Sequence, residues 1–388
     1  MEKLTYRQKK RLVTSVCAFL AVFLAAVLLF LMRDYNKKQR EESSRLFLED
    51  IEQYEASKEK MEYGDDKDAL LTRKQQKYDV YQKLKEHLQV NILFLGDDIA
   101  SGAGVSSSEN NWVMLVANAI EKKYGSDIKG GTYAKPGTSA FYGYHIMNSY
   151  SRGLTYDIMI VAYGSEDDPE TFEFYYDGLM HSIKNQNPKC EIYCIIEART
   201  DGENDNAEKI REICDYYGGI VIDMNEYYAE HGLKAESLTS DGKIPNVAGC
   251  TKYYDAVIEV IDDCLEADRR VPSVKTARLE SSRAFDNYNY TMIADMKKIS
   301  DTVYETSVNG SIAALIYFKS FSGGNINIWV NGKKTITESN VLSENVARTV
   351  ASRIISSELD GVTKIRIETD DASNVSNILG VAYCGEEK

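Results

Sequence analysis

Between Val90 and Asp268 the chain alternates short apolar runs with longer amphipathic stretches, and this alternation restricts the fold more than any other feature. Val90–Leu95 (VNILFL), Asp157–Tyr163 (DIMIVAY), Glu191–Glu197 (EIYCIIE) and Gly219–Met224 (GIVIDM) are apolar on successive residues rather than on alternate ones. Strands of that kind are buried on both faces, as in a parallel sheet covered by helices. The stretches Trp112–Tyr124, Pro169–Asn185, Asn206–Tyr217 and Val247–Asp268 carry apolar residues at helical spacing and supply the covering layers. The expected fold is α/β, a three-layer flavodoxin-like parallel sheet over residues 88–268. Ligands of such sheets sit beyond the carboxyl ends of the strands, so the informative residues follow each strand.

The segments outside this core have other textures. Leu12–Met32 (LVTSVCAFLAVFLAAVLLFLM) holds no charged residue and matches the roughly 20 residues that cross a bilayer as a helix. It is longer than the apolar region of a cleaved signal peptide and ends without a small-x-small site, so it is expected to remain as an anchor. Lys3, Arg7, Lys9, Lys10 and Arg11 before the helix outnumber Arg33, Lys37, Lys38 and Arg40 after it by one, so residues 1–11 are expected to be a cytoplasmic head with everything after the anchor outside. Residues 33–87 are charged, free of proline and interrupted at Gly64-Asp65-Asp66; they read as a helical stalk. Tyr78, Tyr81, Leu84 and Leu88 form an apolar stripe near its end, suited either to a coiled coil or, more simply, to packing on the next domain. From residue 271 to 388 the helical period gives way to short strands at Ser311–Phe318, Asn325–Val330, Ser352–Ser356, Lys364–Thr369 and Ile378–Tyr383. Asn331-Gly332 after Val330 is a strong hairpin signal, and an antiparallel, jelly-roll-like β-sandwich is expected.

The formal net charge is −14, and residues 1–32 carry +4, which leaves −18 on the rest. So acidic a surface argues against nucleic acid, and against anionic polymers unless cations bridge them. The seven cysteines include no CxxC pair and suggest neither a zinc site nor a disulfide framework.

Four segments follow the strands in order: Gly96-Asp97-Asp98-Ile99, Lys135-Pro136-Gly137-Thr138-Ser139, Gly164-Ser165-Glu166-Asp167 and Asp241-Gly242-Lys243-Ile244-Pro245-Asn246. Together they resemble the G-D-S-I, glycine, G-x-N-D and D-x-x-H-P-N blocks of the SGNH (GDSL-type) hydrolase family, over about residues 88–268. The resemblance implies esterase chemistry by a serine that loses its proton to the histidine of the last block, which the aspartate of that block orients. The backbone N–H of that serine, the block-two glycine and the block-three asparagine would donate to the oxyanion.

The sequence departs at each decisive position but two. Asp98 stands for the serine, Glu166 for the asparagine and Ile244 for the histidine, while Gly137 and Asp241 are retained. Ile244 accepts no proton, Asp98 has no hydroxyl to acylate, and an ionised Glu166 repels an oxyanion that a good donor would stabilise by about 3 kcal/mol. Members of such a constellation act as a unit, so the family mechanism is not expected here and the protein reads as a pseudoenzyme. Rescue would need a relocated pair, for which Ser139 with His145 is the best candidate; Ser101 also lies near the cleft.

Two other uses of the cleft come from its residue types. Asp98, Glu166 and Asp241 offer hard oxygen ligands for a divalent cation, against the simpler expectation that Lys243 and loop amides balance them and that no cofactor is needed. Tyr142 and Tyr144 after the glycine block are candidate stacking platforms for sugar rings, against the plainer reading of half-buried helix residues. A ligand in the cleft would then meet Asp98, Gly137, Tyr142, Tyr144, Glu166 and Asp241. The expected protein is a single-pass membrane protein whose extracytoplasmic SGNH-like domain binds a cell-surface glycan or envelope protein; the alternative is an esterase or acyltransferase acting on surface polysaccharide.

Overall fold

A computed structural model describes residues 78–385 apart from 152, 275 and 343–348. The expected anchor over residues 12–32 and nearly all of the stalk lie outside the described residues. None of the described helices is long and apolar enough to cross a membrane.

The described chain opens with a short helix, α1 (Val80–Lys85), capped by Asp79, whose carboxylate accepts from the Gln82 N–H. Its apolar stripe does not continue into a coiled coil: Tyr81 and Leu84 enter the core of the next domain, whereas Leu88 is exposed. The polar side of α1 is also committed. Lys83 is buried in an ion pair with Asp157 (2.8 Å), which accepts the Asn91 N–H as well, and the Tyr81 hydroxyl donates to Glu191 (2.8 Å). Arg269 completes that second cluster on Glu191 (2.6 Å). Asp157 and Glu191, the two carboxylates, stand at the amino ends of strands.

The parallel sheet has the order β2-β1-β3-β4-β5. Its strands are β1 (Val90–Gly96), β2 (Ile128–Ala134), β3 (Ile158–Ala162), β4 (Glu191–Ile196) and β5 (Ile220–Asp223). β1, β3 and β4 are buried along their whole length, as their unbroken apolar sequences require. β2 (IKGGTYA) is a mostly exposed edge, absent from the strands expected from sequence because it has neither an apolar run nor clean alternation. At Gly130 a Cβ would lie 1.7 Å from the Ile92 carbonyl oxygen, so the close approach of β1 and β2 depends on glycine. Between strands run α2 (Asp98–Ser101), α3 (Trp112–Tyr124), α4 (Ala140–Ser149), α5 (Phe172–Gln186), α6 (Ala207–Tyr216), α7 (Met224–Glu230), α8 (Ala235–Leu238) and α9 (Val247–Glu266). One apolar core gathers α1, α3 and α9 on one face of the sheet, and another gathers α4, α5 and α6 on the opposite face.

The C-terminal region is an antiparallel sandwich. One sheet, in the order β11-β10-β13-β8-β7, contains β11 (Lys333–Ser339), β10 (Asn325–Val330), β13 (Val362–Thr369), β8 (Val303–Asn309) and β7 (Lys297–Ser300). The other, in the order β12-β9-β14-β6, contains β12 (Thr349–Ser356), β9 (Ile312–Lys319), β14 (Ile378–Cys384) and β6 (Asn289–Met292). The β10–β11 hairpin turns on Asn331 and Gly332, both at positive φ (48° and 82°), as the Asn-Gly pair predicts.

β9 explains why the sandwich is not a separate appendage. Ala313, Leu315 and Tyr317 fill the space between the two sheets, while Ile312, Ala314 and Ile316 join the core formed by α4 and α5. The central part of β9 is therefore buried on both faces, and the α/β domain and the sandwich share one core. Phe285, in the connection between them, lies against α5 at Gly178, where a Cβ would come within 2.4 Å of its ring.

Candidate functional site

The carboxyl ends of β1 to β3 and the loop before α9 converge, and the four sequence blocks meet there. Asp98 is the first residue of α2, directly beyond β1. Gly137 lies in the turn after β2 at φ 68°; nothing would obstruct a Cβ there, so the left-handed backbone is what calls for glycine. Its N–H donates to the Asp98 carboxylate at 3.0 Å. Glu166, in the loop after β3, is held by Lys243 at 2.6 Å, with each side chain 31% exposed. Asp241 accepts the N–H groups of Lys243 (3.1 Å) and Ile244 (2.8 Å), an arrangement that shapes its own loop. That loop is tied back to the sheet by the Thr200 N–H, which donates to the Gly242 carbonyl at 2.8 Å.

The electrostatics are those of crowded acids with one cation among them. Burial and the nearby Glu166 raise the Asp98 pKa, opposed by the Gly137 N–H and Lys243. Beneath this outer group lies an inner one, to which the sequence blocks alone assign no role. Asp97 is fully buried and accepts from the Ile99 N–H (3.1 Å), and burial together with Glu197 pushes its pKa well up. Asp167 accepts from the Ala140 N–H (2.9 Å), and burial pushes its pKa to about 7. Glu197, at the end of β4, is held by both oxygens to Asn204 (2.9 and 3.0 Å), and burial raises its pKa as well. An acid terminating an otherwise apolar strand was the available signal for Glu197.

Several expectations require correction. Ser139 and His145 do not pair. The Ser139 hydroxyl lies 3.4 Å from that of Ser352 in β12, and His145 is buried on α4 with its Nδ1 2.6 Å from the Tyr288 hydroxyl. Burial lowers the His145 pKa to about 3, since a charged imidazole would lose its hydration among Tyr142, Tyr150, Tyr288 and Tyr290. Ser101 donates to the Asp98 carbonyl (3.0 Å) and has no imidazole partner. Tyr142 and Tyr144 offer no platform to a sugar: they are 5% and 0% exposed, and the Tyr144 hydroxyl donates to the Phe285 carbonyl (2.7 Å). The helix that carries them faces the sandwich, so apolar packing rather than ligand contact uses their rings. Asp98 lies close enough to Glu166 and Asp241 for both to raise its pKa, and each of the three carboxylates is held by its own donor. Among the described residues no group of three or more His, Cys, Asp or Glu side chains is arranged to hold a metal ion. The six described cysteines are free and buried.

No protein-family model and no curated protein matches the sequence. Comparison of folds does find relatives. A two-domain esterase active on acetylated mannans superposes with a TM-score of 0.65 at 17% identity, covering 80% of this chain and 94% of that one, in a crystal containing mannopentaose. A member of the lipolytic G-D-S-L family from Veillonella parvula aligns with 44% of this chain and 97% of its own at 16% identity and a TM-score of 0.35. An acetylxylan esterase from Geobacillus stearothermophilus aligns with 46% of this chain and 96% of its own at 15% identity and a TM-score of 0.38. The α/β domain and the sandwich together share the two-domain fold of the esterase active on acetylated mannans.

Proposed function

We propose that this chain is a membrane-tethered, extracytoplasmic SGNH-fold protein that has given up ester hydrolysis and binds a cell-envelope glycan or protein partner. One observation carries the reading. The glycine N–H that would serve an oxyanion is engaged by the carboxylate that stands where the nucleophile would be, 3.0 Å away. An anion inside the site stabilises the resting protein and opposes the negative charge of an acyl-transfer transition state. Glu166 adds to that opposition, and its pairing with Lys243 removes the nearest cation from service. Ile244 leaves the site without a base at the position where the family has one.

A second reading is an esterase or acyltransferase acting on O-acyl groups of surface polysaccharide. It is favoured by the likeness, over 80% of the chain, to an esterase active on acetylated mannans. Fluorophosphonate labelling of the full chain in detergent separates the two. The proposal expects no covalent adduct. An adduct mapped to Ser101 or Ser139 would support the second reading and sink the first.

A further inference from the structure

The five-stranded sheet of the sandwich sends Ile326, Ile328, Ile365, Ile367 and Val308 into the core and their alternating neighbours to the other side. Register places one row of those neighbours straight across all five strands: Lys334, Trp329, Arg366, Glu305 and Lys297. Lys364 and Glu368 flank the row on β13. This face thus carries four cations, Lys297, Lys334, Lys364 and Arg366, against the two carboxylates Glu305 and Glu368, on a chain whose net charge is −14. The carboxylates are partly neutralised within the face, Glu305 by Lys364 (2.7 Å) and Glu368 by Arg366 (3.2 Å).

Trp329 stands at the centre of this basic face. It is half-buried, with the Arg366 guanidinium 5.7 Å from the centre of its ring. A cation–π pair and cross-strand packing account for part of its presence. They leave two donors unexplained: neither Trp329 Nε1 nor Arg366 Nε has a hydrogen-bond acceptor, although both atoms are shielded from water. A shielded N–H without an acceptor costs stability, and here two sit on adjacent strands. Swinging Arg366 off the indole would uncover a ring face together with two unmet donors.

We propose that this face binds a polysaccharide containing uronic acids, with a sugar ring against Trp329 and its carboxylate on Arg366 and the neighbouring lysines. Fixed hydroxyls and a carboxylate on a ring with an apolar face suit an aromatic surrounded by cations; a neutral glycan would not use the charge, and a flexible acidic peptide would not use the ring. The proposal rests on the glycan-binding reading above and gives it a location away from the Asp98 site. It also qualifies the inference from net charge, since a local basic face recruits an anionic polymer whatever the total.

The test is retardation of the detergent-solubilised full chain in native gels containing polygalacturonate, neutral mannan or polyglutamate. The emission of Trp329 is followed in parallel, because the other tryptophan, Trp112, is fully buried. Polygalacturonate should retard the protein and shift the emission, losing its effect as salt is raised. Arg366→Ala and Trp329→Ala should each weaken retention by about fivefold or more. The exposed double change Lys297→Glu with Lys334→Glu should do the same without disturbing the core. Equal retention by neutral mannan, equal retention by polyglutamate, indifference to the double charge reversal, or no retention by polygalacturonate would each overturn the proposal. None of these outcomes bears on ester hydrolysis, so failure here is distinguishable from failure of the non-hydrolytic reading.

Discussion

At the scale of single residues, the protein tolerates buried ionisable groups whose protonation should be visible in its stability. Asp167 has its pKa raised to about 7, against 3.8 for the unperturbed group. The folded state therefore holds a proton that the unfolded state releases above about pH 4, and the contribution of this group to stability falls as pH rises from 4 to 7. Asp167→Asn keeps an oxygen for the Ala140 N–H and removes that penalty. Its melting temperature should exceed that of the wild type by a few degrees at pH 8 and match it at pH 4. His145 works in the opposite direction. Its folded pKa is lowered to about 3, so its contribution is complete above pH 6.5 and is lost as pH falls from 6.5 toward 3. His145→Gln should flatten the acid side of the stability profile measured by thermal melts, and an unchanged profile would show that other groups dominate it. Neither shift was legible in sequence. Asp167 was visible only as the last residue of its block, without its burial, and His145 read as a candidate base because its position after the glycine block was visible while its burial against Tyr288 and Tyr290 was not.

At the scale of elements, α1 and β9 do more than their lengths suggest. α1 spans six residues and could not persist alone. It is held because Lys83 meets Asp157 out of water and Tyr81 meets Glu191. Lys83→Ala leaves a buried carboxylate without its cation and should cost about 3–5 kcal/mol, whereas Lys83→Met with Asp157→Leu should recover much of that in chemical denaturation. The apolar stripe showed that this segment packs, but the buried lysine carried no signal in a stretch full of lysines. β9 was legible as a strand and ambiguous as to its faces. Its unbroken apolar run, Ile312–Tyr317, fits burial on both sides, yet sequence did not reveal that the second side belongs to α4 and α5. Ala314→Asp would bury an unpaired charge between the domains and should unfold both, as judged by loss of the near-ultraviolet signal. The exposed strand β2 and the helix α4 were the hardest to read, the first for its glycines and the second because its small and aromatic residues blur the helical stripe.

For the whole molecule, the shared core predicts one cooperative event. The α/β domain and the sandwich should melt together in calorimetry despite their different architectures, and two resolved transitions would contradict the packing of β9 described above. The four sequence blocks were legible as short motifs after strands, and the structure brings Asp98, Gly137, Glu166 and the 241–244 loop to one place. What those residues do to each other was not legible. The Gly137 N–H on Asp98 is a three-dimensional fact. The central claim is that this contact belongs to a site which no longer cleaves esters, and acetate release from acetylated mannan by the purified full chain measures it directly. The account predicts release no faster than the buffer control for the wild type. Sustained release that disappears in Asp98→Ala would contradict it.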